Sequence, residues 1–201
     1  MVVAIVPAVV VALTLTGCLS TKTSTTDLFE LVTTGTPQEV QAVITNGADV
    51  NAQDDSGMTP LMYAAEYNPN PDVLTVLLKA GADVNVADNY GLTPLMWDAE
   101  YNQNPETITT LLKAGADLKA QDKGGFTALM IAASRSLNPE IIITLLKAGA
   151  DAKAKNGKGY TALDYAKYNR FLEGTDALKE LEEASKANEK EQYRRVEGNK
   201  A

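Results

Sequence analysis

The sequence predicts an all-α solenoid, a row of short helix pairs stacked side by side, and three observations carry that prediction. Landmarks return every 34 residues: Thr59 recurs as Thr93, Thr127 and Thr161, Gly47 as Gly81, Gly115 and Gly149, and Asp49 as Asp83, Asp117 and Asp151. A constant interval of this size marks a stacked repeat. Each interval also holds two helix-start signals followed by apolar residues at helical spacing, and each closes on a stretch rich in turn formers. Two short helices cannot bury their apolar faces alone, so neighbouring units must stack.

Taken in order, residues 27–53 read as an amino-terminal cap. Leu28, Leu31 and Val32 share one helical face, and Gly35-Thr36-Pro37 starts a second helix through Val40, Val43 and Ile44. The first full unit, residues 54–87, opens on Thr59-Pro60-Leu61. The Thr hydroxyl suits an N-cap, and Pro suits the first helical position because its N–H is not needed there. Leu61, Ala64 and Ala65 form the inward face. Asn70-Pro71 repeats the start signal, with Asp72 favourable at the positive end of the second helix. Leu74, Leu77 and Leu78 make its apolar stripe, and Gly81 supplies the left-handed residue that stops it. Residues 88–121 and 122–155 repeat the pattern. A capping unit, residues 156–185, begins at Gly159-Tyr160-Thr161 and closes with a helix near residues 175–185, Leu178 and Leu181 pointing inward.

These stretches resemble the ankyrin repeat, whose signature is T-P-L-H-x-A. The matching segments are TPLMYA from Thr59, TPLMWD from Thr93, TALMIA from Thr127 and TALDYA from Thr161, supported by LLKAGAD at Leu77, Leu111 and Leu145. The resemblance spans roughly residues 27–185 and implies an ankyrin-repeat solenoid with protruding β-hairpin-like loops. It implies no function by itself, so a binding role has to rest on the groove residues. Three departures stand out. The family's His is Met62, Met96, Met130 and then Asp164, so the hydrogen bonds of that His are expected to be missing. One extra residue lies in each inter-helix turn, and Asp98 replaces an Ala that stacking should bury.

Residues 1–17 form an apolar run that ends in Leu15-Thr16-Gly17 before Cys18. This resembles a bacterial lipoprotein signal, in which that tetrapeptide is the lipobox and Cys18 takes the lipid. No Lys or Arg precedes the run, although secretory signals usually carry one. The alternative is an uncleaved membrane anchor, since the run is just long enough to span. Residues 18–26 would then be the lipidated Cys and a Ser/Thr-rich tether, and residues 186–201 a charged tail. Leu19 is not the Asp that retains lipoproteins in an inner membrane, which favours an outer-membrane or periplasmic location in the bacterial envelope.

Composition narrows the function. The formal net charge is −8, and an acidic chain lacks the basic face that nucleic acid requires. There is no histidine, which removes the Ser-His-Asp and Cys-His systems and the commonest zinc ligand. With Cys18 used for lipid, no disulfide or thiolate metal site is expected. No Gly-rich phosphate loop is present. The recurring Asp49, Asp83, Asp117 and Asp151 read as local turn ligands rather than calcium ligands. Asp98 reads as a tolerated, partly hydrated buried acid. No catalytic residue, metal or cofactor is assigned, and the protein is expected to be a monomer.

A partner-binding face is predicted from the register. The position after the family's His is Tyr63, Trp97, Ile131 and Tyr165; four residues on, one helical turn away, come Tyr67, Tyr101, Arg135 and Asn169. By resemblance this register faces a concave groove. The hairpin tips add Tyr90, Leu92, Phe126 and Tyr160, with Ser56, Met58, Asn89, Lys123 and Lys158 beside them. Tyr, Trp and Arg are the residues that most often dominate interface energetics. The expectation is therefore a protein-interaction module at the bacterial cell envelope, gripping an unidentified protein through an aromatic groove. The alternatives are an inhibitor, immunity-type protein or accessory subunit of an envelope enzyme, an enzyme using groove carboxylates such as Asp98, and a passive spacer.

Overall fold

A computed structural model describes residues 25–186. The predicted signal segment, Cys18 and most of the tether, together with the tail from residue 187, lie outside the described residues. Ten helices occur among those described: α1 (Thr25–Thr34), α2 (Pro37–Thr45), α3 (Pro60–Tyr67), α4 (Pro71–Lys79), α5 (Pro94–Tyr101), α6 (Pro105–Lys113), α7 (Ala128–Arg135), α8 (Pro139–Lys147), α9 (Ala162–Ala166) and α10 (residues 176–186). No strand occurs among the described residues. No described helix is long and apolar enough to cross a membrane.

The helices form two rows. In the first, α1, α3, α5, α7 and α9 pack successively; in the second, α2, α4, α6 and α8 do the same behind them. The core runs between the rows, with Leu61, Ala64, Ala65, Leu74 and Leu77 fully buried in the first repeat and Leu181 fully buried at the carboxyl end. The expected start and stop signals act locally. The Thr59 and Thr127 hydroxyls accept from the Met62 and Met130 N–H groups at 3.4 Å, and Asn70, Asn104 and Asn138 cap the second helices at 2.9–3.0 Å. Gly47, Gly81, Gly115 and Gly149 stop the second helices with φ of 94–96°, a conformation that disfavours a Cβ.

The Met-for-His exchange leaves more hydrogen bonding than the sequence suggests. Met62 Sδ lies 3.4 Å from the Thr59 N–H and accepts from it, and the Asp164 carboxylate accepts from the Thr161 N–H at 2.9 Å and the Thr161 hydroxyl at 2.8 Å. A polarizable sulfur and a carboxylate each take the acceptor role at the N-cap. In α5 the exchange does cost a bond, because the buried Thr93 hydroxyl caps nothing and has no partner.

Units are joined by side chains that reach the backbone of the preceding unit. Asn68 Nδ2 donates to the carbonyls of Val32 and Gly35, Asn102 Nδ2 to those of Ala65 and Asn68, and Asn169 Nδ2 to those of Ala133 and Ser136, at 3.0–3.3 Å. These carbonyls lie at or just beyond the ends of the first-row helices, where intrahelical donors run out. Two of the N-capping asparagines serve the same purpose: Asn104 donates to the Pro69 carbonyl at 2.8 Å and Asn138 to that of Gln103 at 2.7 Å. Adjacent loops are also linked by the Asn89, Lys123 and Gly157 N–H groups, which donate to the Ser56, Tyr90 and Gly124 carbonyls at 2.9–3.0 Å. Replacing Asn102 by Ala would leave two buried carbonyls unpaired. We expect a loss of about 2 kcal/mol or more in stability, measured by urea unfolding, whereas Gln103→Ala on the exposed part of the same turn should cost under about 0.5 kcal/mol.

Candidate protein-binding face

The predicted aromatic register stands on the side of the first helix row that adjoins the loops. The Tyr63 hydroxyl donates to Asp54 Oδ2 at 2.8 Å, Trp97 Nε1 donates to Asp88 Oδ2 at 3.2 Å, and Asn156 Nδ2 donates to the Tyr165 hydroxyl at 2.7 Å. In each case the same side chain holds its loop through an oxygen not used for the ring: the second carboxylate oxygen of the acids and the amide oxygen of Asn156. Asp54 Oδ1 accepts from the Ser56 and Met58 N–H groups at 2.8 and 2.9 Å, and Asp88 and Asn156 do the same one and three units on. Residues 54, 88, 122 and 156 are thus the keystones of the loops. Sequence reasoning passed over them, although their recurrence at the 34-residue interval was visible.

Outside this layer lies a second one. Tyr67 stacks on Tyr63 with ring centroids 6.3 Å apart, and Tyr101 on Trp97 at 5.7 Å. Tyr67 and Tyr101 remain 55% and 47% exposed, and the loop residues Tyr90 and Tyr160 are 67% and 52% exposed. At the carboxyl end Tyr165 packs against Phe126 at 5.2 Å and Tyr160 at 6.0 Å. Phe29 of α1, absent from the predicted set, meets Tyr63 edge-on at 5.4 Å and extends the aromatic run into the cap.

Five placements differ from expectation. Ile131 is buried in the core, because an aliphatic side chain has no polar tip to meet the loop keystone. Met58 is buried as well, and Leu92 and Phe126 are half-buried, packed against the core cluster. Asn169 is not a face residue: it is buried and makes the same inter-unit bonds as Asn68 and Asn102. The last unit is one residue shorter before this point, so Tyr168, 91% exposed, takes the place that Tyr67, Tyr101 and Arg135 hold just before the linking residue. Arg135 itself pairs with the nearly buried Glu100 carboxylate of the preceding repeat.

Two shallow depressions lie on the opposite row. One of about 540 Å³ between α4 and α6 involves Leu78, Lys79 and Lys113, and one of about 520 Å³ between α6 and α8 involves Leu112, Lys113 and Lys147. Both are open gaps between second-row helices, lined by lysines and threonines, with Glu140 at the second.

The sequence matches the family described as ankyrin repeats (3 copies) over residues 28–122 and ankyrin repeats (many copies) over residues 111–166, so the two matches together run from residue 28 to 166. The chain belongs to the ankyrin repeat family. Comparison with curated proteins returns no match. Ankyrin repeats are protein–protein interaction modules, and the family is generally non-enzymatic.

The titrating groups of this ankyrin domain fit that character. The hydrogen bond to Asp54 raises the Tyr63 phenol, the neighbouring Glu66 carboxylate pushes Tyr67 up to about 12, and Glu100 raises Tyr101, so the phenols stay protonated at neutral pH and serve as donors. Partial burial raises Glu66 above the usual carboxylate range, with Glu100 adding to the effect. Among the described residues no group of acids has the geometry of a metal site.

Asp98, expected to be partly hydrated, is fully buried, and it faces the core rather than the aromatic face. Its Oδ1 lies 2.8 Å from the Thr107 hydroxyl, which in turn bonds to the Asn104 carbonyl, while its Oδ2 has no partner. A hydroxyl has one proton. A protonated Asp98 donating through Oδ1 to Thr107 Oγ1, with Thr107 donating to Asn104, needs only that one hydroxyl proton and leaves Oδ2 as the single unpartnered atom. Burial pushes the Asp98 carboxyl well above its ordinary range, consistent with that neutral form. It is a packed core acid with no path to a substrate on the face.

Asp98 therefore makes stability pH-dependent in a known direction. Its unfolded pKa is about 4 and its folded pKa is raised, so the folded state holds the proton more tightly. The contribution is fully present below pH ~4 and is lost as the pH rises toward the folded pKa, at up to ~1.4 kcal/mol per pH unit. In the first repeat the equivalent pair is Ala64 and Val73. Asp98→Ala with Thr107→Val should raise stability at pH 7 by about 1–4 kcal/mol and flatten the stability profile above about pH 4. Urea unfolding across that range checks both.

Proposed function

We propose that this ankyrin protein is a lipid-anchored docking module of the bacterial cell envelope, gripping a partner protein through the aromatic face. The observation that carries the reading is the outer tyrosine layer. Tyr67, Tyr101 and Tyr168 occupy one register in the first, second and last units, with Arg135 between them, Tyr90 and Tyr160 rise from the adjoining loops, and all five tyrosines present large exposed rings. Exposed amphipathic rings on a fixed backing lose little conformational freedom on binding, which favours affinity. Support for anchoring comes from the sequence around Cys18, where Leu15-Thr16-Gly17-Cys18 ends an apolar run and the cysteine has no counterpart for a disulfide.

Tyr67→Ala with Tyr101→Ala removes exposed rings and touches neither the loop keystones nor the inter-unit bonds. Affinity capture from envelope extracts is expected to lose its specific partner with this double variant, while thermal unfolding shifts little. A partner retained by the variant would overturn the face as the docking site. Anchoring has its own check. Cys18→Ser should abolish metabolic labelling by fatty acid and release the protein from the membrane fraction; unchanged fractionation with no labelling of the wild type would favour the uncleaved span.

A further inference from the structure

The repeat register contains a charge relation that the proposed docking function does not use. Glu100 is 8% exposed, and its carboxylate is paired with Arg135 from the next repeat. One interval earlier the same two positions are Glu66 and Tyr101. Glu66 is half-buried beneath Tyr67, yet among the described residues no Lys or Arg pairs with it, because Tyr101 stands where a counter-cation stands one repeat later. The surroundings do not supply one from elsewhere. Between Lys22 and Lys79 the chain has no Lys or Arg and eight Asp and Glu residues. That stretch supplies carboxylates and no cation, and the exposed Tyr67 and Tyr101 rings stand beside a Glu66 carboxylate with no Lys or Arg among the described residues paired to it.

We propose that this half of the face takes a protein segment bearing an arginine, whose guanidinium sits against Glu66 between Tyr67 and Tyr101, as Arg135 sits against Glu100. This inference rests on the docking reading and adds the chemistry of the partner. A guanidinium fits better than an ammonium, because it offers a planar fork to a carboxylate and stacks on aromatic faces. Charge complementarity also supplies specificity, since an acidic segment would meet the Glu66 carboxylate with no cation among the described residues paired to it.

Short random peptides displayed on phage and selected on the full-length protein test the proposal directly. Peptides with arginine at a fixed position should be enriched on the wild type and lost on Glu66→Gln, a near-isosteric change at a half-buried surface position. A synthetic selected peptide should bind about tenfold or more weakly to Glu66→Gln, weaken equally when its arginine becomes citrulline, and lose nothing further when both changes are combined. Selected peptides that need Tyr67 and Tyr101 but ignore Glu66→Gln overturn the arginine assignment and leave the docking face standing. Peptides indifferent to Tyr67→Ala with Tyr101→Ala, or a selection that yields none, overturn both. Arginine peptides that bind only after removal of residues 187–201, which carry Arg194 and Arg195, would assign the position to the chain's own tail and overturn an external partner.

Discussion

The structure depends on one constraint: at three of the four unit boundaries, the backbone groups left unpaired at the end of a short first-row helix are satisfied by an asparagine of the next unit. An eight-residue helix such as α3, α5 or α7 is too short to be stable alone and exhausts its own donors within its last turn. Asn68, Asn102 and Asn169 supply those donors across the unit boundary. Because each asparagine must reach the same place in its predecessor, the interval between units is nearly fixed. The register of every other side chain follows from it. The row of exposed tyrosines is a by-product of that fixed spacing, since each sits one residue before the linking position.

Much of this was legible in the sequence because the signals are local and repeated. Thr-Pro and Asn-Pro starts, Gly stops and apolar spacing each report on a few adjacent residues, so the helices fall where they predict. The sequence says less where a side chain acts on a distant backbone. Asn68 and Asn102 read as turn formers, and their reach of 33–37 residues back along the chain could not be seen from composition. Asn169 was misplaced for the same reason: counting by a strict interval assigned it to the face, whereas the last unit is one residue short and the bond, not the count, decides its position. Ile131 shows a different limit. Register fixes where a residue starts, but whether its side chain turns to the loop or the core depends on having a polar tip.

The two aromatic layers divide the work between rigidity and contact. Tyr63, Trp97 and Tyr165 are tied through their polar tips to the loop keystones, so they brace loops that have no strand pairing of their own. Tyr67 and Tyr101 stack outside them and keep their outer surfaces free. The face is therefore built before any partner arrives. Asp98 illustrates the opposite case, a polar group placed where packing wants an alanine, tolerated through a single hydroxyl and a neutral carboxyl.

The boundary between the second and third repeats is built unlike the others. Ser136 stands where Asn68 and Asn102 stand, and its short side chain bonds to Asn138 within its own turn instead of reaching back. Lys119 stands where Asn51 and Asn85 clasp the glycine carbonyl and the aspartate N–H of the following unit, so that clasp is also missing there. What spans this seam is the Lys123–Tyr90 backbone bond, the Asn138–Gln103 bond and the Arg135–Glu100 pair. Under tension along the solenoid axis, this seam would yield before the two boundaries amino-terminal to it, separating the cap and the first two repeats from the rest. Salt would hasten the parting, because an ion pair with a solvent-facing arginine substitutes for amide clasps that ionic strength hardly affects.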